Sequence, residues 1–140
     1  MAENKTRPTS DDVDAFIASI PDAGQRADAE ILSAMMARVT GEAPLVWDNR
    51  MVGFGTYSYK TGSGHRGQWI RTGFAARKGM LTIHLMDGVK THAAALARMG
   101  PCKNGVSCLY IKRLADVDMA VLEEVVGASY AAMNRVFPDG

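Results

Sequence analysis

The stretch QWIRTGFAARKGMLTIHLM, residues 68–86, decides the fold of this chain. Apolar and polar side chains alternate over residues 68–76 and again over residues 80–86, which is the period of a β-strand with one buried face. The three residues between them, 77–79, are polar or glycine and form a tight connection. The stretch therefore predicts an antiparallel hairpin.

Two registers are open for this hairpin, and they decide which side chains share a face. The favoured register matches apolar side chains: Phe74 with Leu81, and Ile70 with Leu85. In that register Ile70, Thr72 and Phe74 share the core face. The opposite face then pairs Arg71 with His84, and Trp69 with Met86. A three-residue turn would instead set Phe74 opposite Thr82 and exchange the faces.

The favoured register predicts a ligand-binding face of Trp69, Arg71, His84 and Met86. An aromatic wall with a guanidinium and an imidazole suits a small anion or a planar ligand. The alternative is that this face is solvated, or packed under a terminal helix with Arg71 ion-paired.

The glycine-rich loop of residues 62–67 precedes the hairpin and adds His65 and Arg66 as candidate ligand contacts. It runs from strand to strand and lacks the Lys-Ser or Lys-Thr of a phosphate-binding loop. Ser63 has no neighbouring acidic residue to orient His65 as a catalytic base. No set of residues supports catalysis, so the sequence favours a binding protein over an enzyme.

Helical spacing of apolar residues appears on both sides of the strands, and the predicted order is α-α-β-β-β-β-α-β-α. Strands joined by hairpins, with helices grouped at the two ends, predict an α+β fold. We expect an antiparallel sheet of about five strands, packed by the N- and C-terminal helices. The predicted organisation is a flexible tail, residues 1–9, followed by a single domain, residues 10–140.

Composition narrows the class of protein. The chain has 140 residues, 47% of them hydrophobic and 22% charged, and 16 basic residues against 15 acidic ones give a net charge of +1. This balance argues against a nucleic-acid binder, and no apolar run is long enough to span a membrane. Cys102 and Cys108, in a chain with no export signal, are expected to be reduced thiols of a cytoplasmic protein.

Metal ligands are sparse in the sequence. The three histidines have no spacing that places two of them on one helical turn, and two cysteines are too few for a structural zinc site. Asp11, Asp12 and Asp14 form the densest acidic group and are candidates for holding a hard cation. The alternative is that they stabilise the start of the first helix.

A family resemblance enters at residues 100–118, GPCKNGVSCLYIKRLADVD. This run resembles the signature of the YdhG-like family, the domain of unknown function 1801, in which Gly-x-x-Lys-x-Gly-x-x-x-Leu-x-Ile precedes Asp-x-Asp. The matching residues are Gly100, Lys103, Gly105, Leu109, Ile111, Asp116 and Asp118. The resemblance covers roughly residues 10–135 and implies a small α+β domain. Because some relatives are described as frataxin-like iron chaperones, it also implies iron as a possible cargo of Asp11, Asp12 and Asp14.

Three functions follow as hypotheses from the sequence. The first is a non-enzymatic module that binds a small anionic or aromatic ligand beside Trp69, Arg71 and His84. The second is iron handling by the acidic group at residues 11–14. The third is a homodimer formed through a methionine-rich and aromatic surface, since the chain has nine methionines.

Overall fold

The computed structural model describes residues 12–47, 51–60, 66–77, 80–100 and 102–136. It confirms an α+β fold with helices at both ends of the chain. The helices are α1 (Val13–Ala18), α2 (Ala23–Thr40), α3 (Ala93–Leu96) and α4 (Met119–Val136), with 3-10 turns at Val89–His92 and Leu114–Asp116. None of the described helices is long and apolar enough to cross a membrane.

The sheet has six strands: β1 (Pro44–Trp47), β2 (Met51–Lys60), β3 (Arg66–Arg77), β4 (Met80–Leu85), β5 (Lys103–Asn104) and β6 (Cys108–Ile111). Neighbouring strands are antiparallel, and their order across the sheet is β1-β2-β3-β4-β6-β5. The sixth strand is β5, a two-residue edge strand that pairs with β6.

Both predicted registers for the central hairpin are wrong. Phe74 lies opposite Ile83, two positions from the favoured partner Leu81. Pairing runs to Arg77↔Met80, which leaves a two-residue connection rather than a longer one. The pattern of apolar residues could not separate the favoured register from the observed one. The two differ by a shift of two residues, which keeps every side chain of β4 on its face.

The core lies between one face of the sheet and the helices. Each helix contributes side chains to a single large cluster with the strand residues Val52, Phe54, Phe74, Ile83 and Leu109. We call this the helical face of the sheet. A second, smaller cluster contains Trp47, Met51, Ile70 and Ala75, all at most 5% exposed. Its members come from β1, β2 and β3, and we call the side of the sheet that carries it the outer face.

The alternation of β3 breaks between Ile70 and Phe74, which corrects the prediction that the two share a face. Phe74 belongs to the helical face, whereas Ile70 packs in the outer cluster. The ladder between β2 and β3 has no pair at Gly55 and Arg71, and Gly55 has φ +74°. A left-handed residue in a strand disturbs the pleat locally and re-aims nearby side chains. The consequence is that Ile70 and Arg71 leave their predicted faces.

Candidate functional site

The outer face carries an aromatic cluster centred on Trp69. This ring packs edge-on against the fully buried Trp47, with ring centroids 5.8 Å apart and planes at 67°. Its Nε1 donates a hydrogen bond to Met86 Sδ at 2.9 Å. Edge-to-face contacts of this kind add to the energy of simple area burial. Trp69 is therefore held in one orientation while part of its surface remains exposed.

His84 stands beside Trp69 on the same face. The imidazole and indole centroids are 6.5 Å apart, with an interplanar angle of 87°. His84 is half-buried, so it combines a supported position with access to solvent. Three of the four predicted face residues, Trp69, His84 and Met86, are thus brought together by the structure.

Cys108 joins this group, and the sequence prediction missed it. It is the partner of His84 in the β4–β6 ladder, and its Sγ lies 3.5 Å from His84 Nδ1. Directly opposed residues of an antiparallel pair share a face. The sequence places Cys108 in a strand, but the register between β4 and β6 is needed to bring it to His84.

Two glycines make room for the outer cluster. A Cβ built on Gly53 would lie 2.3 Å from Ile70 Cγ2 and 2.8 Å from Trp47 Nε1. A Cβ on Gly73 would lie 2.4 Å from the carbonyl oxygen of Val52. The absence of side chains at these two positions lets Ile70 and Trp47 lie flat against the sheet.

Arg71 does not join Trp69 and His84. Its guanidinium donates through Nε to the carbonyl oxygen of Thr56 at 2.8 Å and through Nη1 to Asn134 Oδ1 of α4 at 2.7 Å. The residue is 4% exposed, so its charge faces α4 and not the outer face. The predicted combination of guanidinium, indole and imidazole on one face is not formed.

Near Arg71, α4 is tied to the connection between α2 and β1 by a partly buried polar contact. The Tyr130 hydroxyl donates to Glu42 Oε2 at 2.6 Å. Burial raises the pKa of the Tyr130 phenol above its ordinary value, and the hydrogen bond to the Glu42 carboxylate raises it further. Together with the bond from Arg71 to Asn134, this contact fixes the last turns of α4 over the sheet.

Asp87, just beyond the C-terminal end of β4, forms a buried network with His92 and Ser129. Asp87 accepts hydrogen bonds from the Ser129 hydroxyl at 2.6 Å and from His92 Nε2 at 2.9 Å. Ser129 is fully buried and donates to the carboxylate, not to the imidazole. A nucleophilic serine needs its proton accepted by the histidine and needs access to substrate. This network is therefore a structural tie between the 3-10 turn and α4.

The remaining candidate ligand residues are placed as follows. His65 and Asp11 lie outside the described residues, and Arg66 opens β3 opposite Lys60. Asp12 caps α1, and its Oδ1 accepts from the backbone nitrogen of Asp14 at 2.9 Å. No group of three or more metal-ligating side chains occurs within the described parts of the chain. Iron binding by the acidic group stays a prediction.

Both cysteines are free thiols in environments that differ. Cys102 packs against the core of the helical face, and burial raises the pKa of its thiol. Cys108 lies on the outer face beside His84. The two thiols therefore lie on opposite sides of the sheet.

Comparison of the chain with models of protein families, with curated proteins and with solved structures gave no match. The resemblance to the YdhG-like family stays a prediction.

Proposed function

We propose that this protein is a non-enzymatic binding module that takes a planar aromatic small molecule on the outer face of its sheet. The observation that carries the proposal is the oriented, partly exposed Trp69 with His84 at 6.5 Å. A planar ring can stack on the indole while the imidazole offers a hydrogen bond to a polar substituent. Met86 and Cys108 add polarizable sulfur atoms at the margin.

The position of Arg71 favours an aromatic ligand over a simple anion at this face. A small anion needs a cationic fork or several directed donors, and the Arg71 guanidinium is engaged by Thr56 and Asn134 on the other side of the sheet. The contacts around Trp69 join its indole to an imidazole and a thioether and, through His84, to a thiol. These groups recognise ring surface more than charge.

The free thiols of Cys102 and Cys108 support a reducing compartment such as the cytoplasm as the setting of this function.

The test is a titration with 1-naphthoate and nicotinamide, followed through the two tryptophan indole signals of the labelled protein. The signal of Trp69, assigned by its loss in Trp69→Phe, is expected to shift. Trp69→Ala is expected to weaken binding about tenfold, equal to 1.4 kcal/mol. Ile31→Ala is the matched control, because Ile31 is an exposed apolar side chain of α2. Its affinity is expected to equal that of the unaltered protein.

Cysteine protection gives a second measurement in the same sample. Bound ligand is expected to slow alkylation of Cys108 by iodoacetamide and to leave Cys102 unchanged, since Cys102 packs on the helical face. Unshifted indole signals and equal alkylation of Cys108 with either probe at about 10 mM, ten times a Kd of 1 mM, would refute the proposal.

A further inference from the structure

A groove of about 690 Å³ lies between α3 with its preceding 3-10 turn and the loop that joins β5 to β6. Its volume falls within the range of small-molecule sites, roughly 300–1,000 Å³. Its apolar lining consists of Val89, Ala93, Leu96, Ala97 and Val106. No aromatic ring lines it, so it differs in kind from the outer face around Trp69.

A backbone hydrogen bond joins the two sides of the groove, and one apolar side chain of its lining is exposed. The backbone nitrogen of Val89 donates to the carbonyl oxygen of Val106 at 2.9 Å, which joins the two sides. The Val106 side chain is 90% exposed, whereas Val89 is 5% exposed. A ligand in the groove would remove the Val106 side chain from water, and burial of apolar surface stabilises such a complex.

The chain segment that forms the groove is basic, while Asp87 directly precedes it and Glu124 of α4 pairs with Arg98. Residues 88–115 contain five basic residues and no aspartate or glutamate. Arg98 and Arg113 are paired with Glu124 and Asp28. Lys90 lines the groove, and Lys103 precedes the groove residue Asn104. Among the described residues neither lysine forms an ion pair with a carboxylate.

We propose that this groove binds an alkyl carboxylate, with the aliphatic chain along the apolar lining and the carboxylate beside Lys90. Aliphatic walls without aromatic rings favour a flexible hydrocarbon chain over a planar ring. Lys90 and Asn104 are polar lining residues: the Lys90 ammonium supplies donors, and Asn104 Nδ2, which donates to the Gly105 carbonyl oxygen at 3.1 Å, has a second N–H. The site is independent of the one around Trp69, so either proposal can fail without the other.

Decanoate, below its micelle-forming concentration, is the probe for this site. Saturable binding is expected, with shifts in the amide signals of residues 89–97 and 104–106. Decyltrimethylammonium has the same chain and the opposite charge, and it is expected to bind more weakly. Hexanoate is also expected to bind more weakly, because each buried methylene contributes about 0.8 kcal/mol.

Two variants and one control separate the chain from the charge. Ala93→Phe places a ring in the groove from an exposed helix position, and it is expected to weaken decanoate binding at least about tenfold. Lys90→Gln is expected to cost about threefold to fivefold, as for an exposed ion pair. Lys112→Gln, an exposed lysine of the same basic segment outside the groove lining, is expected to leave the affinity unchanged.

The assignment is overturned if decanoate and decyltrimethylammonium bind equally, or if Ala93→Phe and the unaltered protein bind decanoate alike. Because both comparisons use proteins whose amide spectra show that they are folded, a failure to fold cannot imitate either result.

A separate experiment offers the protein phosphatidylglycerol vesicles. Binding to vesicles without binding of free decanoate would identify a membrane-facing surface and would also overturn the proposal.

Discussion

Arg71 Nη1 donates to Asn134 Oδ1 across 2.7 Å, and this bond ties the central strand β3 to the last turns of α4. The guanidinium also donates to the carbonyl oxygen of Thr56, where the disturbed pleat at Gly55 turns it toward the helices. A side chain expected to bind a ligand is therefore part of the structural core. The energetic consequence is that Arg71 contributes to folding stability more than to recognition.

Replacement of Arg71 by alanine is expected to lower the free energy of unfolding by about 2–4 kcal/mol, the range for losing two charge-assisted hydrogen bonds at a buried site. Urea unfolding measures this. Arg38→Ala is the control, because Arg38 pairs with Glu123 at the surface, where the loss should stay below about 1 kcal/mol. The affinity for 1-naphthoate is expected to be unchanged in folded Arg71→Ala. A selective loss of that affinity would return Arg71 to the ligand site.

The network around Asp87 gives a second prediction. Asp87→Ala removes the acceptor of two buried donors, the Ser129 hydroxyl and His92 Nε2. Unpaired buried groups of this kind each cost about 1–3 kcal/mol, so we expect a loss of about 2–5 kcal/mol in unfolding free energy. Ser129→Ala removes one donor and leaves the carboxylate its imidazole partner, and it is expected to cost about 1 kcal/mol. Equal losses in the two variants would contradict the network.

The hairpin of residues 68–86 shows which features of the structure the sequence can predict. Alternation is a local property of the chain, so it predicts the strands and places His84 and Met86 correctly on the face away from the helices. Arg71 is different, because its direction depends on Gly55 in the neighbouring strand and on Asn134, 63 positions further along the chain. Neither dependence appears in the period of β3 itself.

Cys108 marks the same limit for the candidate site. Its place beside His84 follows from the β4–β6 register, and two strands separated by a helix carry no local signal for their register. The fold class, by contrast, follows from the element order alone, because grouped helices and hairpin-linked strands have few compact arrangements. Composition and local pattern thus predict the class, while the side chains of the site require the tertiary pairing.

The packing at Gly73 gives a third prediction. A Cβ at this position would lie 2.4 Å from the backbone carbonyl oxygen of Val52, and a backbone atom in a central strand cannot move aside cheaply. Gly73→Ala is expected to destabilise the protein by about 1–3 kcal/mol or more, as overpacking does. Gly41, with φ +72° and no heavy atom within 4 Å of an added Cβ, is the comparison. Gly41→Ala carries only the left-handed backbone penalty, about 1 kcal/mol. A loss of unfolding free energy that is larger in Gly41→Ala than in Gly73→Ala would refute the packing argument.

The raised pKa of Tyr130 leads to a fourth prediction, on how folding stability changes at alkaline pH. Burial, and then the hydrogen bond to Glu42, raise the pKa of its phenol in the folded protein above the ordinary value of 10.0. The unfolded chain therefore releases this proton at a lower pH than the folded protein does. The stabilisation that the phenol provides is complete below about pH 10 and is lost as the pH rises through the folded-state pKa.

Urea unfolding of the unaltered protein and of Tyr130→Phe between about pH 8 and pH 11 isolates this effect from the titration of other groups. The stability difference between the two proteins is expected to be constant near pH 8 and to shrink toward pH 11, because phenylalanine has no proton to lose. Glu42→Gln keeps an acceptor and removes the carboxylate charge. Since burial is the largest single cause of the raised pKa and does not depend on the Glu42 charge, this variant should keep part of the slope of the unaltered protein. The stability difference between the unaltered protein and Tyr130→Phe could instead stay constant up to pH 11. The Tyr130 phenol would then titrate alike in the folded and unfolded chains, and its contact with Glu42 would not persist in solution.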